Sequence, residues 1–474
     1  LPKSLRRTDD YRVSVGISSC GIQGNRKNME LSAMQLPGLI IAAPSSNSGK
    51  TVLTLGLLRA LANRGVRVTA AKTGPDYIDP AFQAAACREK CINLDPWAMS
   101  GDQIVALAQR QAGEKSLLLC EGVMGLFDGA ADGSGSTADL AAMMNWPVVL
   151  VIDVKGQSAS AAAVIAGFAG FRKDVKIAAV ILNRVGSDRH RMMIETACRE
   201  HLPEIPVIGA VRRSDALSLP ERHLGLVQAG EHDALDVFLD QAAGIIAEDV
   251  NLDQLIGLVR GRKLAVGAGD GSDAVGIGIP PLGQHIAIAR DTAFAFAYPH
   301  LLEDWRRQGA ELSFFSPLAD ETPSNGANAV YLPGGYPELH GEQLANAGNF
   351  KAAIAAMAVR NIPIYGECGG YMILGEALID ATGQHHQMLG LLPLVTSFAD
   401  RKLHLGYRTL VLSGATALGP VGTVLRGHEF HYASTIKADG TPLGNMATAT
   451  GGDLGSAGLM KGSVFGSFFH LICQ

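Results

Sequence analysis

Short apolar runs separated by longer amphipathic stretches recur from Leu36 onward, and this alternation constrains the fold more than any other feature of the chain. It is the pattern of βαβ units, in which parallel strands buried on both faces are joined by crossover helices. In the first half the runs are Leu39–Ala43, Val66–Ala71, Leu117–Cys120, Val148–Ile152, Ile177–Leu182 and Val207–Val211. Thr51–Ala62 and Gly101–Gln111 read as helices between them, and the series closes near Glu231. Asp233 to Val259 is acidic and amphipathic and reads as connecting helix. Val266–Gln284, rich in Gly, Ala, Asp and Pro, reads as linker. A second α/β series follows, with strands predicted at Ile286–Ala289, Glu311–Phe315, Ala329–Leu332 and Ile362–Tyr365 and a helix at Leu301–Arg307. After Gly390 the chain is richer in Gly, Thr and His, and antiparallel strands are expected there.

The fold class is therefore α/β throughout. The segments expected are an extension at 1–35, a first domain at 36–232, connecting helices and linker at 233–284, and a second domain at 285–474. The extension is polar, shows no sustained period and lacks a secretory pattern, so it reads as poorly ordered and of little weight in folding. At 474 residues, 47% hydrophobic and 18% charged, the chain has material for two buried sheets. A net charge of −5 gives no electrostatic reason to expect nucleic acid or anionic membrane as a partner. No apolar run reaches bilayer length, so a soluble, cytoplasmic protein is expected. Seven scattered cysteines, an odd number, argue against a disulfide framework. Cys87 and Cys91, four apart, read as packing residues in the absence of a second pair at ligand spacing.

Ala43-Pro44-Ser45-Ser46-Asn47-Ser48-Gly49-Lys50-Thr51 follows an apolar strand and opens a helix, the setting a phosphate-binding loop requires. Backbone N–H groups at Ser45, Ser46, Asn47, Ser48 and Gly49 would face the anion, Lys50 would neutralise the terminal phosphates, and Thr51 would offer its hydroxyl to Mg²⁺. Pro44 stands where GxxxxGK[ST] has its leading glycine. Acidic partners are expected just past neighbouring strands, where ligands gather in a parallel sheet. Lys72–Pro80 supplies Asp76 and Asp79, and Glu121–Gly129 supplies Glu121 and Asp128. Asn183, closing its strand, is a candidate to bind an adenine, or equally a turn residue.

Gly366-Glu367-Cys368-Gly369-Gly370 follows a strand and precedes a helix-like stretch, the G-x-nucleophile-x-G arrangement of a strained elbow. The helix start behind Cys368 favours its thiolate. His470 is the candidate base, and Gly334 and Gly335 are placed to offer N–H groups to an oxyanion.

On these residues, and on Asn183–Arg191, Leu219–Leu226, Tyr331–His340 and Gly427–Tyr432, the chain resembles the cobyrinic acid a,c-diamide synthases, a family that includes the hydrogenobyrinic acid enzymes. The resemblance spans about residues 37–474. It implies a domain similar to dethiobiotin synthetase, followed by a class I glutaminase domain, and use of ATP, Mg²⁺ and glutamine on a corrin-ring polycarboxylate. It implies that Cys368 attacks glutamine with His470 as base, that Asp76 and Glu121 accompany Mg²⁺ and phosphates, and that Asp79 and Asp128 orient the reacting carboxylate. Many glutaminases of this class carry a glutamate two residues after the histidine; here that residue is Ile472.

A polycarboxylate macrocycle needs cationic and polar groups over an apolar floor. Arg408, within Arg401–Arg408, and His428, His431 and Tyr432 are the candidates, placing the substrate between the domains. Another tetrapyrrole substrate, or a nucleotide-driven switch carrying a retired glutaminase, are the alternatives. Oligomeric state is left open, a homodimer being one option.

Overall fold

The computed structural model describes residues 36–113, 117–218, 228–232, 234–259 and 275–474, and the backbone of short strands at 221–222 and 225–226. The expected extension at 1–35, residues 266–274 of the expected linker and most of the Leu219–Leu226 stretch lie outside the described residues.

The first apolar series forms a seven-stranded, all-parallel sheet. Its strands are β1 (Gly38–Ala42), β2 (Val68–Thr73), β3 (Cys91–Leu94), β4 (Leu117–Glu121), β5 (Val148–Asp153), β6 (Ile177–Val185) and β7 (Val207–Arg212), in the order β3-β2-β4-β1-β5-β6-β7. Because β4 lies between β2 and β1, the carboxyl ends of three neighbouring strands open onto one crevice. From those ends run the Pro44–Gly49 loop, the Gly74–Tyr77 loop and the Gly122–Gly129 loop. β3 was not expected: four residues containing Cys91 and Asn93 carry little periodic signal. Helix Leu235–Asp249 packs against helix Lys50–Asn63 and shares the core of the first sheet, where Ile246, Leu239 and Leu57 are fully buried.

The second series builds a six-stranded sheet in the order Glu311–Phe315, His285–Ala289, Ala329–Leu332, Ile364–Glu367, Val464–Ser467, Leu459–Lys461. Only the last pairing is antiparallel. The chain after Gly390 does turn antiparallel, in a five-stranded sheet ordered Asp453–Ala457, Gly444–Thr448, His404–Leu412, Val424–His431, Phe469–Cys473. Its register sets His428 opposite His470.

The two halves share a buried cluster that includes Ile40 and Leu94 of one and Ile286 and Leu471 of the other. Tyr77, from the loop after β2, reaches into the second half. It stacks on Tyr298 at 4.2 Å and Phe296 at 5.2 Å between ring centres. Trp97 stacks on Tyr407 at 4.4 Å, and the Tyr407 hydroxyl donates to Asp95 Oδ2 at 3.1 Å. Aromatic stacking adds roughly 0.5–1.5 kcal/mol per pair beyond area burial, so these contacts hold the crevice of the first sheet against the second half.

Candidate active sites

The phosphate loop turns into its helix at Gly49, whose φ of 84° lies in the left-handed region that glycine enters without strain. Lys50 opens the helix and folds over the loop, donating from Nζ to Met124 O at 2.6 Å and Ser45 O at 3.3 Å. Burial pushes its pKa down, with Glu121 opposing. Ser48 Oγ donates to Ser45 O at 2.9 Å, closing the turn, while Ser45, Ser46 and Asn47 are exposed. A cavity of about 710 Å³ opens above, lined by Gly49, Lys50, Thr51, Asp76, Asp79 and Asn183, with Arg212 and Arg213 at its rim. Its size suits a nucleotide.

Behind Thr51 lies a buried ionic cluster centred on Lys72. The Lys72 ammonium is 2.6 Å from Asp79 Oδ2, 2.9 Å from Glu121 Oε1 and 3.7 Å from Asp76 Oδ2. Burial would depress this lysine, but Asp79, Glu121 and Asp76 override it and hold its pKa well above the ordinary value. Glu121, fully buried, also accepts from Gln83 Nε2 at 2.6 Å, and burial raises its pKa against the pull of Lys72. Asp76 is pushed up to about 7 by burial and by the charge of Asp79. Its Oδ1 accepts from the N–H groups of Ile78 and Asp79, so it also caps the next helix. Thr51 Oγ1 is 2.8 Å from Glu121 Oε1 and 3.3 Å from Asp79 Oδ2. This hydroxyl–carboxylate pair fits Mg²⁺, which takes one or two carboxylates and completes its shell with phosphate oxygens and water. Among the described residues no group of three or more His, Cys, Asp or Glu converges as a metal cage.

Asp128 stands off the cavity lining, whereas Asn183 lines the cavity as expected and also holds the phosphate loop. Asp128 Oδ2 accepts from Gly125 N–H at 2.8 Å and so shapes the loop that receives Lys50, rather than standing in the cavity. Asn183 Nδ2 donates to Ser48 O at 2.9 Å and its Oδ1 accepts from Arg184 N–H at 3.0 Å. It braces the phosphate loop from the end of β6, one strand beyond β5, the neighbour of β1. Lys72 and Gln83 went unnoticed in the sequence, although Lys72 heads the Lys72–Pro80 stretch.

In the second half, Cys368 takes φ 46° and ψ −100°, a strained conformation that costs on the order of 1–3 kcal/mol. Its N–H donates to Ser467 O at 2.8 Å and its carbonyl accepts Met372 N–H at 3.0 Å, which hold the elbow in place. Gly370 permits the turn: a Cβ there would stand 1.9 Å from Leu332 O. His470, on strand Phe469–Cys473, is almost wholly buried. Its pKa reaches about 10; burial lowers it, but the Cys368 sulfur and the Glu367 carboxylate outweigh that. A protonated imidazole beside the sulfur is the state this favours. Gly334 and Gly335 follow strand Ala329–Leu332 and lie beside both residues. A Cβ on Gly334 would meet His470 Cε1 at 2.7 Å, and a Cβ on Gly369 would lie 3.1 Å from Gly335 N.

Between the halves a second cavity, of about 670 Å³, is lined by residues from both. Asp76, Asp79 and Tyr77 line it from the first half, and Arg408, His428 and His470 from the second. Arg408 donates from Nε to Glu429 Oε2 at 2.7 Å, and the Tyr298 hydroxyl pairs with His428 Nε2 at 2.9 Å. Burial and the neighbouring His470 hold the His428 pKa well below the ordinary value, so His428 is neutral. His431 and Tyr432 are not on this lining, against expectation. Side chains alternate along a strand, so the three-residue step from His428 turns His431 to the other face, where it stacks on Phe468 at 3.9 Å and His404 at 4.6 Å.

Residues 39–227 match the model of the CobQ/CobB/MinD/ParA nucleotide binding domain, and residues 285–474 match that of the CobB/CobQ-like glutamine amidotransferase domain. The chain is 56% identical over 446 residues to a hydrogenobyrinate a,c-diamide synthase of Brucella anthropi, covering 92% of this chain and 98% of the relative. It is 54% identical to the protein of that name from Brucella abortus, over 92% of this chain and 98% of the relative, and 54% identical to that from Rhizobium meliloti, over 92% and 99%.

Proposed function

The chain belongs to the hydrogenobyrinate a,c-diamide synthase family, and from that premise we propose that it amidates the a and c acetate carboxylates of hydrogenobyrinic acid with ATP and glutamine. The observation that carries the reading is the 670 Å³ cavity, which has the Asp76–Asp79 loop at one end and His470 at the other. A substrate arm seated there lies within reach of both a phosphoryl donor and a source of ammonia.

Cys368 attacks the glutamine carboxamide as thiolate, with Gly334 and Gly335 N–H groups receiving the developing oxyanion. His470 gives its proton to the departing ammonia and then takes one from the water that cleaves the thioester. At the other site Lys50 and the loop N–H groups hold the ATP phosphates while the substrate carboxylate attacks the γ-phosphorus and ADP leaves. A carboxylate resists ammonia until one oxygen becomes a phosphate leaving group; ammonia then attacks the acyl carbon and phosphate departs. Thr51 and Glu121, with Asp76, would hold Mg²⁺, whose charge would offset that developing on the ATP phosphates. Asp79, tethered to Lys72, is placed to orient the substrate arm, and Asp128 to set the loop around Lys50. Arg408 and His428 serve the macrocycle rim. A cytoplasmic location and a homodimer belong to the same reading; light scattering on the eluting protein checks the latter.

The test is product mass after incubation with ATP, Mg²⁺ and glutamine, with hydrogenobyrinic acid and cobyrinic acid supplied separately. Diamide from hydrogenobyrinic acid is expected. ATP turnover without amide from either macrocycle would overturn the substrate assignment.

A further inference from the structure

His470 needs a group to fix its ring and stabilise its charge, and the position two residues on, where such a glutamate is commonly found, holds Ile472, a buried hydrocarbon. The opposite approach to the ring is occupied. Glu367, the residue just before the nucleophile, is fully buried and sets Oε1 3.5 Å from His470 Nδ1. The carboxylate is aimed by two further donors: the Tyr331 hydroxyl to Oε2 at 2.9 Å and the Leu471 N–H to Oε1 at 3.2 Å. Tyr331 sits on the strand paired with the elbow strand and Leu471 on the strand that carries His470, so the aim is set by rigid backbone. An ionised carboxylate without water is costly unless paired. Among the described residues the cationic partner drawn to Glu367 is His470 itself.

We propose that Glu367 is the positioning carboxylate of the glutaminase, so that the third member of the triad precedes the nucleophile in the chain instead of following the histidine. The proposal rests on the reading of Cys368 and His470 as a glutaminase pair. Glu367 touches no substrate; it acts through His470 from the Nδ1 side of the ring, where its Oε1 lies at 3.5 Å and the Tyr77 hydroxyl of the first half at 3.2 Å. The groups facing His470 are Cys368, Glu367, Tyr77 and His428, and Tyr331 faces Glu367. Burial holds both tyrosines well above their ordinary pKa, and burial keeps His428 neutral. Among these groups His470 is the one whose proton is expected to set the alkaline limb, with the Glu367 carboxylate beside it.

Glu367→Gln keeps the shape and the acceptor for Leu471 while removing the charge. Removing a carboxylate beside an imidazolium lowers its pKa by about 1–3 units, so the alkaline limb of glutamine-dependent kcat/KM is expected to move down by that much. Glutamine-dependent kcat is expected to fall roughly 10²-fold or more, with the KM for glutamine little changed and the ammonium-supported amidation within about twofold of wild type. A merely structural Glu367 would lower both nitrogen sources together and leave the limb in place; that result overturns the proposal. Glu367→Asp, which keeps the charge, is expected to hold the wild-type limb even at reduced rate, and a limb displaced as in the Gln variant also overturns it. Cys368→Ala separates the two claims: if glutamine still supports amidation there, the glutaminase reading fails. If Cys368→Ala abolishes glutamine use and Glu367→Gln does not, only the role of Glu367 fails.

Discussion

Lys72→Met removes one charge and almost no volume, and it leaves Glu121, Asp79 and Asp76 around a vacated ammonium position. Lys72 and Glu121 side chains are 4% and 0% exposed, so water cannot replace the lost partner, and the N–O distances of 2.6 and 2.9 Å show both pairs fully engaged. Breaking a buried pair by deleting one member costs about 3–5 kcal/mol. The pH dependence follows from the direction of the shifts. Lys72 has its pKa raised in the folded state, so its contribution is fully present below the unfolded value of 10.5 and is lost only as pH rises through the folded value. Between pH 5 and 8 its charge is constant, and the carboxylates set the slope. Asp76, already near 7 with Lys72 present, and Glu121 take up protons in the variant as pH falls. The loss relative to wild type is therefore expected to be about 3–5 kcal/mol at pH 8 and clearly smaller at pH 5.5. Urea unfolding followed by tryptophan fluorescence at both pH values measures it. A loss under about 1 kcal/mol, or an equal loss at both pH values, would refute the ionic cluster as described.

Gly370→Ala forces a methyl to 1.9 Å from the Leu332 carbonyl, backbone against backbone, and is expected to destabilise the second domain by about 3 kcal/mol in thermal denaturation. Asn183→Ala deletes the bond to Ser48 O and is expected to raise the KM for ATP several-fold at a stability cost of about 1 kcal/mol, with the KM for glutamine unchanged. Arg408→Ala is expected to raise the KM for the macrocycle while sparing glutamine hydrolysis, and equal effects on both would remove Arg408 from the substrate cavity.

Local motifs were legible because their chemistry is local. Gly49-Lys50-Thr51 after an apolar strand and Cys368 between glycines each announce a strand-to-helix turn within a few residues. What the sequence hid are pairings made across the chain. Lys72 gathers partners from three positions, one of them 49 residues away, and no spacing rule links it to Glu121. Nothing in its local sequence marks Tyr77, yet its hydroxyl lies 3.2 Å from His470 Nδ1, in the other half of the molecule. Glu367 occupies an unspecified position of the elbow motif, which says nothing of its partner His470. The grouping of His428 with His431 failed for a simpler reason: a strand alternates faces, and a step of three residues changes side.

The most direct test of the division of labour is to assay Cys368→Ala with ATP, Mg²⁺ and hydrogenobyrinic acid, once with glutamine and once with ammonium chloride. The account predicts no amide from glutamine and near wild-type diamide from ammonium. Amide formation from glutamine in this variant, or failure with ammonium in a protein that still turns over ATP, would contradict it.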